Sequence, residues 1–155
     1  MSEIFINKAR ACAVTGHRII KNLDTEKLKL LFYSLIEKGY DTFLIGMALG
    51  FDKLCFEILR EIRNEKNIKL IACIPCLNQD LKFTLSQKND YKKMLEDADE
   101  NYYVSKLYTP SCMQKRNEFM VDNSSILVAY LRQNKGGTFN TVKYAEKKNQ
   151  YIINI

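Results

Sequence analysis

Apolar residues fall in short blocks along this chain, and the blocks alternate between two spacings. Ala11 to Val14, Phe43 to Ile45, Ile68 to Ile74 and Ser125 to Leu131 are continuous runs of strand length, the pattern of strands covered on both faces. Asn101 to Val104 and Tyr151 to Ile155 are weaker runs of the same kind. Between them the apolar positions recur at helical spacing. Leu28, Leu31, Phe32, Leu35 and Ile36 form one stripe, opened by Asp24 as N-cap and stopped at Gly39. Cys55, Ile58, Leu59 and Ile62 form a second stripe behind Gly50, and Tyr91, Met94, Leu95 and Ala98 a third. Thr109-Pro110-Ser111 predicts a helix start, with proline where its missing N–H matters least, and Thr138 to Lys148 predicts the last helix. Repeated strand–helix units of this length predict one α/β domain over residues 1–155, a mostly parallel sheet with helices on both faces.

Three of the strand runs end in glycine-marked polar turns that lead into helices. The turns are Thr15-Gly16-His17-Arg18, the stretch Gly46-Met47-Ala48-Leu49-Gly50-Phe51-Asp52, and Gly136-Gly137-Thr138. In a parallel, Rossmann-like three-layer domain all three fall at the carboxyl edge of the sheet, where ligands bind. Glycine lets backbone approach a ligand closely, and the free amides that open a helix suit phosphate. The turns together predict a nucleotide-sized pocket.

Composition narrows the picture. The 155 residues are 46% hydrophobic and 27% charged, as in an ordinary soluble globule, and no apolar stretch approaches a membrane span. The N-terminus lacks a signal-peptide pattern, so a cytoplasmic location is expected. Five cysteines, an odd number, with Cys12, Cys55 and Cys73 among apolar neighbours, read as buried free thiols rather than disulfides. The net charge of +6 suits a phosphate ligand or nucleic acid, although the lysines are spread along helix faces rather than clustered with aromatics.

The segment from Ser111 to Asp122 places Met113, Arg116, Asn117 and Met120 on one helix face. An arginine on an inward stripe needs an anion or several acceptors. It either bridges to a neighbouring helix or reaches into the pocket with Asn117. His17 is the only histidine, which excludes a multi-histidine metal site. Asp52 either caps the helix behind it or hydrogen-bonds a ribose. Cys73-Ile74-Pro75-Cys76 has redox spacing but spans a strand end, and no second ligand pair is spaced for zinc. Neither a G-x-x-x-x-G-K-[ST] loop nor a strict G-x-G-x-x-G is present. No cofactor is required by this reading.

Val14-Thr15-Gly16-His17-Arg18, the Gly46 to Asp52 stretch, Arg116-Asn117 and Gly136-Gly137-Thr138 together resemble the YpsA-like family of the SLOG superfamily, named for the SMF/DprA and LOG proteins. The likeness runs from about Ala11 to Ala145. Pro75 and Gln79 fit the family's tendency after the third strand, and Phe83 stands where tryptophan is common. The resemblance implies a Rossmann-like fold and a pocket for a nucleotide or nucleotide derivative. It also implies self-association, hence a homodimer. In the related LOG enzymes a helix arginine and a P-G-G-x-G-T-x-x-E segment cleave the N-glycosidic bond of nucleoside monophosphates. Arg116 matches the arginine, but Thr141 or Lys143 falls where the glutamate should be.

The leading expectation is therefore a protein that senses, carries or sequesters a nucleotide-derived ligand. Thr15, Gly16, His17, Arg18, Gly46, Gly50, Asp52, Gln79, Arg116, Asn117, Gly136, Gly137 and Thr138 are its candidate binding residues. LOG-like phosphoribohydrolysis is the alternative, and single-stranded nucleic-acid binding, as in DprA, a further one.

Overall fold

The computed structural model describes residues 4–155. Six strands form one sheet: β1 (Ala11–Gly16), β2 (Thr42–Ile45), β3 (Lys69–Ile74), β4 (Glu100–Tyr103), β5 (Ile126–Tyr130) and β6 (Tyr151–Asn154). Five α-helices connect them: α1 (Thr25–Glu37), α2 (Phe51–Ile62), α3 (Leu85–Asp97), α4 (Cys112–Asp122) and α5 (Gly137–Lys147). Every pairing is parallel, and the order across the sheet is β4-β3-β2-β1-β5-β6. The expected Rossmann-like α/β architecture is the one observed.

The continuous apolar runs are explained by two cores. Cys12, Val14, Phe43, Ile45, Leu70, Ala72 and Ile74 point to the face covered by α1, α2 and α3, where Phe32, Phe56, Leu59 and Met94 complete the larger cluster. The intervening residues Ala13, Leu44, Ile71 and Cys73 point to the opposite face, against Met120 and Val121 of α4 and Val142 and Ala145 of α5. All five cysteines are free and buried.

Asp24 caps α1 as expected, its carboxylate accepting the Glu26 and Lys27 amides. Thr84 opens α3 with a reciprocal box: its hydroxyl accepts the Gln87 amide, and the Gln87 side chain accepts the Thr84 amide. Thr84→Ala should lower the unfolding free energy by about 1 kcal/mol, measured by urea titration. α4 starts later than the sequence suggests. Pro110 lies in a turn closed by the Cys112 amide on the Thr109 carbonyl, and the helix begins at Cys112.

The order of strands decides where a ligand can sit. From β1 the chain steps outward through β2 and β3 to β4, using helices on one face. It then returns by α4 on the other face and inserts β5 beside β1. The connections leaving β1 and β5 therefore diverge to opposite faces and leave a crevice at their carboxyl ends.

Candidate functional site

Four segments meet at that crevice. In the first, Thr15 and Gly16 finish β1, and Gly16 lies so close to the Phe51 side chain that a Cβ would overlap it. His17 and Arg18 follow, and the Phe51 amide donates to the His17 carbonyl at 3.1 Å, tying this turn to the start of α2.

The second segment is the β2–α2 turn. Gly50 is the N-cap of α2 with φ +82°, and a Cβ there would collide with the Arg18 carbonyl. Asp52 is thus inside the helix and not its N-cap. Its Oδ2 instead accepts the Ala48 amide at 3.2 Å.

Arg116, on α4, is the third component. It is 5% exposed. Its Nη1 donates to the carbonyls of Gly46 and Cys73, at the ends of β2 and β3, and to Gln79 Oε1 at 3.4 Å, while Nε donates to Asn117 Oδ1 at 2.8 Å. Buried arginine is stable only with acceptors of this kind, and here they are two backbone carbonyls and two side-chain amide oxygens, not the acid of a neighbouring helix. Gly46 makes the approach feasible, since a Cβ would stand 2.7 Å from Nη1 and 3.0 Å from Asp52 Oδ2.

The fourth segment is the loop from Arg132 into α5. Arg132 is held on three sides. Its guanidinium carbon lies 4.3 Å from the Tyr130 ring centroid, its Nη1 donates to the Leu131 carbonyl, and its amide donates to His17 Nε2 at 2.8 Å. Tyr130 is itself fixed, stacked on Phe51 and bonded through its hydroxyl to the backbone of Lys21. Gly136, at φ +94°, caps α5 without a side chain, leaving the first amides of that helix facing the cleft.

The cleft enclosed by these segments has a volume of ≈ 780 Å³, within the range of small-molecule sites. Among the described residues, five cationic ones line it, Arg18, Lys21, Arg116, Arg132 and Lys135, against one acidic residue, Asp52. Burial pushes the Asp52 carboxyl up to about 6, opposed by the pull of Arg116, the Ala48 amide and Arg18. Burial, with Arg132 nearby, lowers the His17 imidazole below its ordinary value, consistent with a neutral ring accepting the Arg132 amide at Nε2.

Of the residues expected from sequence, Thr15, Gly16, His17, Arg18, Gly46, Asp52, Arg116, Asn117, Gly136, Gly137 and Thr138 all line this one cleft. Gly50 and Gln79 do not. Gly50 supports the Arg18 backbone from behind, and Gln79 donates to the Gly46 and Met47 carbonyls and to the Tyr91 hydroxyl. Lys21, Arg132 and Lys135 were not anticipated. The signal was weak but present: all three lie in the polar linkers that follow β1 and β5. Among the described residues, no group of three or more His, Cys, Asp or Glu side chains is placed to hold a metal, and no helix is long and apolar enough to cross a membrane.

Parallel α/β topology with a basic cleft at the switch point defines a Rossmann-like α/β domain. The YpsA model of the YspA SLOG family matches residues 12–155, and the chain belongs to that family. It is 36% identical over 138 residues to the SPβ prophage-derived protein YoqJ of Bacillus subtilis, covering 79% of this chain and 80% of that protein. Its fold is similar to that of DNA processing protein A (DprA) from Streptococcus pneumoniae, with TM-score 0.68 and 15% identity over 93% of this chain and 49% of that one. DprA from Helicobacter pylori, whose structure describes single-stranded DNA binding, gives TM-score 0.66 and 17% identity over 94% of this chain and 65% of that one. The chain thus spans about half of the pneumococcal protein.

Proposed function

We propose that this protein binds a nucleotide-derived anion in the cleft and senses, carries or sequesters it without turnover. The observation that carries this reading is the imbalance of charge: five cations face one carboxylate, beside an open helix N-terminus at Gly136-Gly137-Thr138. Membership of the SLOG family supports it.

Hydrolysis in the LOG manner finds no carboxylate at the third turn. The Thr141 hydroxyl donates to the Gly137 carbonyl at 2.8 Å, and Lys143 reaches Glu146 at 3.4 Å, so neither position supplies the missing acid. Asp52 approaches the cleft from the opposite side and is held by the Ala48 amide.

Calorimetric titration with AMP, ADP-ribose, NAD and a cyclic dinucleotide tests the proposal. At least one should bind, and Arg132→Ala and Lys135→Ala should each weaken it about tenfold. Failure of all four to bind would sink the reading. Free base released from a nucleoside monophosphate would replace it with the hydrolase.

The fold shared with DprA favours a second reading, single-stranded nucleic acid across the same cations. It requires oligonucleotide affinity well above that of the mononucleotide and falling steeply with salt.

A further inference from the structure

Two polar atoms at the inner end of the cleft lack partners. Among the described residues, Asp52 Oδ2 is taken by the Ala48 amide while Oδ1 accepts nothing, and Arg116 spends Nε and Nη1 while Nη2 donates to nothing. Both side chains are more than nine-tenths buried. Among the described residues, the fully buried side-chain atoms without a partner are Glu100 Oε2 and Gln150 Oε1, so Asp52 Oδ1 and Arg116 Nη2 keep access to solvent, and both residues line the cleft. An acceptor and a donor are thereby both presented to one cleft from largely buried side chains.

The chemistry of that pair does not suit a phosphate dianion, the form present at pH 7.5, which has no proton to give the carboxylate and would be repelled by it. A hydroxyl both donates and accepts, and two adjacent hydroxyls satisfy a carboxylate oxygen and an N–H together. The exposed cations Lys21, Arg132 and Lys135 stand instead at the outer part of the cleft, with the open amides of α5. We infer that Asp52 and Arg116 receive the vicinal diol of a ribose while the phosphate lies outward among those cations, so that the cleft selects ribonucleotides over 2′-deoxyribonucleotides.

This inference rests on the nucleotide-binding reading and gives it an orientation: sugar inward, phosphate outward. It also carries a pH dependence. The charged and titratable groups around Asp52 are Arg116 on α4, Arg18 on the β1–α1 turn, Cys55 on its own helix and Cys73 on β3. Both thiols are raised by burial, with the Asp52 charge adding to it, and stay neutral. The carboxylate is the acceptor above about pH 6 and becomes a carboxylic acid below it.

The test is calorimetry with AMP against dAMP and GMP against dGMP at constant ionic strength. At pH 7.5 each ribonucleotide should bind about tenfold or more tightly than its deoxy counterpart. The ratio should shrink at pH 5 and in Asp52→Asn. Arg132→Ala should weaken both members of a pair equally and leave the ratio intact. Equal affinity for ribo and deoxy forms in the unaltered protein overturns the inference while leaving nucleotide binding standing, and needs no variant to fold. Discrimination that follows the base and ignores the sugar, or a ratio that survives in folded Asp52→Asn, overturns it as well. If none of the four binds, and the wider nucleotide panel fails too, both readings fall.

Discussion

Gly50→Ala is expected to lower the unfolding free energy by about 3–5 kcal/mol, combining strain at a backbone conformation reserved for glycine with overpacking. The backbone there is at φ +82° and ψ −120°, and the added Cβ would meet the Arg18 carbonyl rather than a side chain that could swing away. Relief would have to come from moving the β1–α1 turn, so the variant should also lose ligand affinity. Gly39→Ala is the reference. Gly39 has φ +106° at the end of α1 with nothing within 4 Å, and the expected loss is about 1 kcal/mol. Urea unfolding of the two variants separates the contributions, since equal losses would show that the Arg18 contact is unimportant.

Arg116→Met should be comparably damaging, by about 3–5 kcal/mol at pH 7.5, because buried acceptors and a buried carboxylate lose their donor and counter-charge. The Gly46 and Cys73 carbonyls and Asn117 Oδ1 would each lose a hydrogen bond. The damage should depend on pH in a defined direction. The folded Asp52 carboxyl lies at about 6, above its ordinary 3.8, so its contribution is most favourable below pH 3.8 and is lost as pH rises through 6. Arg116 pulls that value down, so removing the arginine raises it further. The difference in stability between the two proteins should therefore grow above pH 6 and shrink toward pH 5. A difference that stays flat from pH 5 to pH 8 would show that the two groups are not coupled.

Much of this was readable in the sequence because it follows from local physical demands. A strand buried on both faces must be apolar throughout, and β2, β3 and β5 announce themselves in this way. A helix needs a cap and a stop, which Asp24 and Gly39 supply. β1 runs further than its apolar residues because Thr15 and Gly16 pair with Ala129 and Tyr130 through backbone groups that side-chain pattern does not report. Gly16 and Gly46 were visible for a similar reason: close approach there leaves room for no other residue. Lys21, Arg132 and Lys135 escaped notice because a loop cation in the cleft has the same local sequence as one in bulk solvent. Gln79 misled in the opposite sense. Its position after β3 suits a pocket, yet its amide is consumed by the carbonyls of the β2–α2 turn. The fate of Arg116 also needed tertiary structure, since its acceptors lie 70 and 43 residues away.

The position of β1 at the middle of the sheet has a consequence for how the protein comes into being. Four strands, β4 to β1, can assemble from the first two thirds of the chain as it leaves the ribosome. Until β5 arrives, β1 is an open edge, its unpaired backbone groups offered to any extended segment nearby. The same late strand brings Arg132 and the opening of α5, which form the other wall of the cleft. The last pairing to form is therefore the one that both closes the vulnerable edge and completes the cleft, so chains stalled before β5 would be sticky and would lack it.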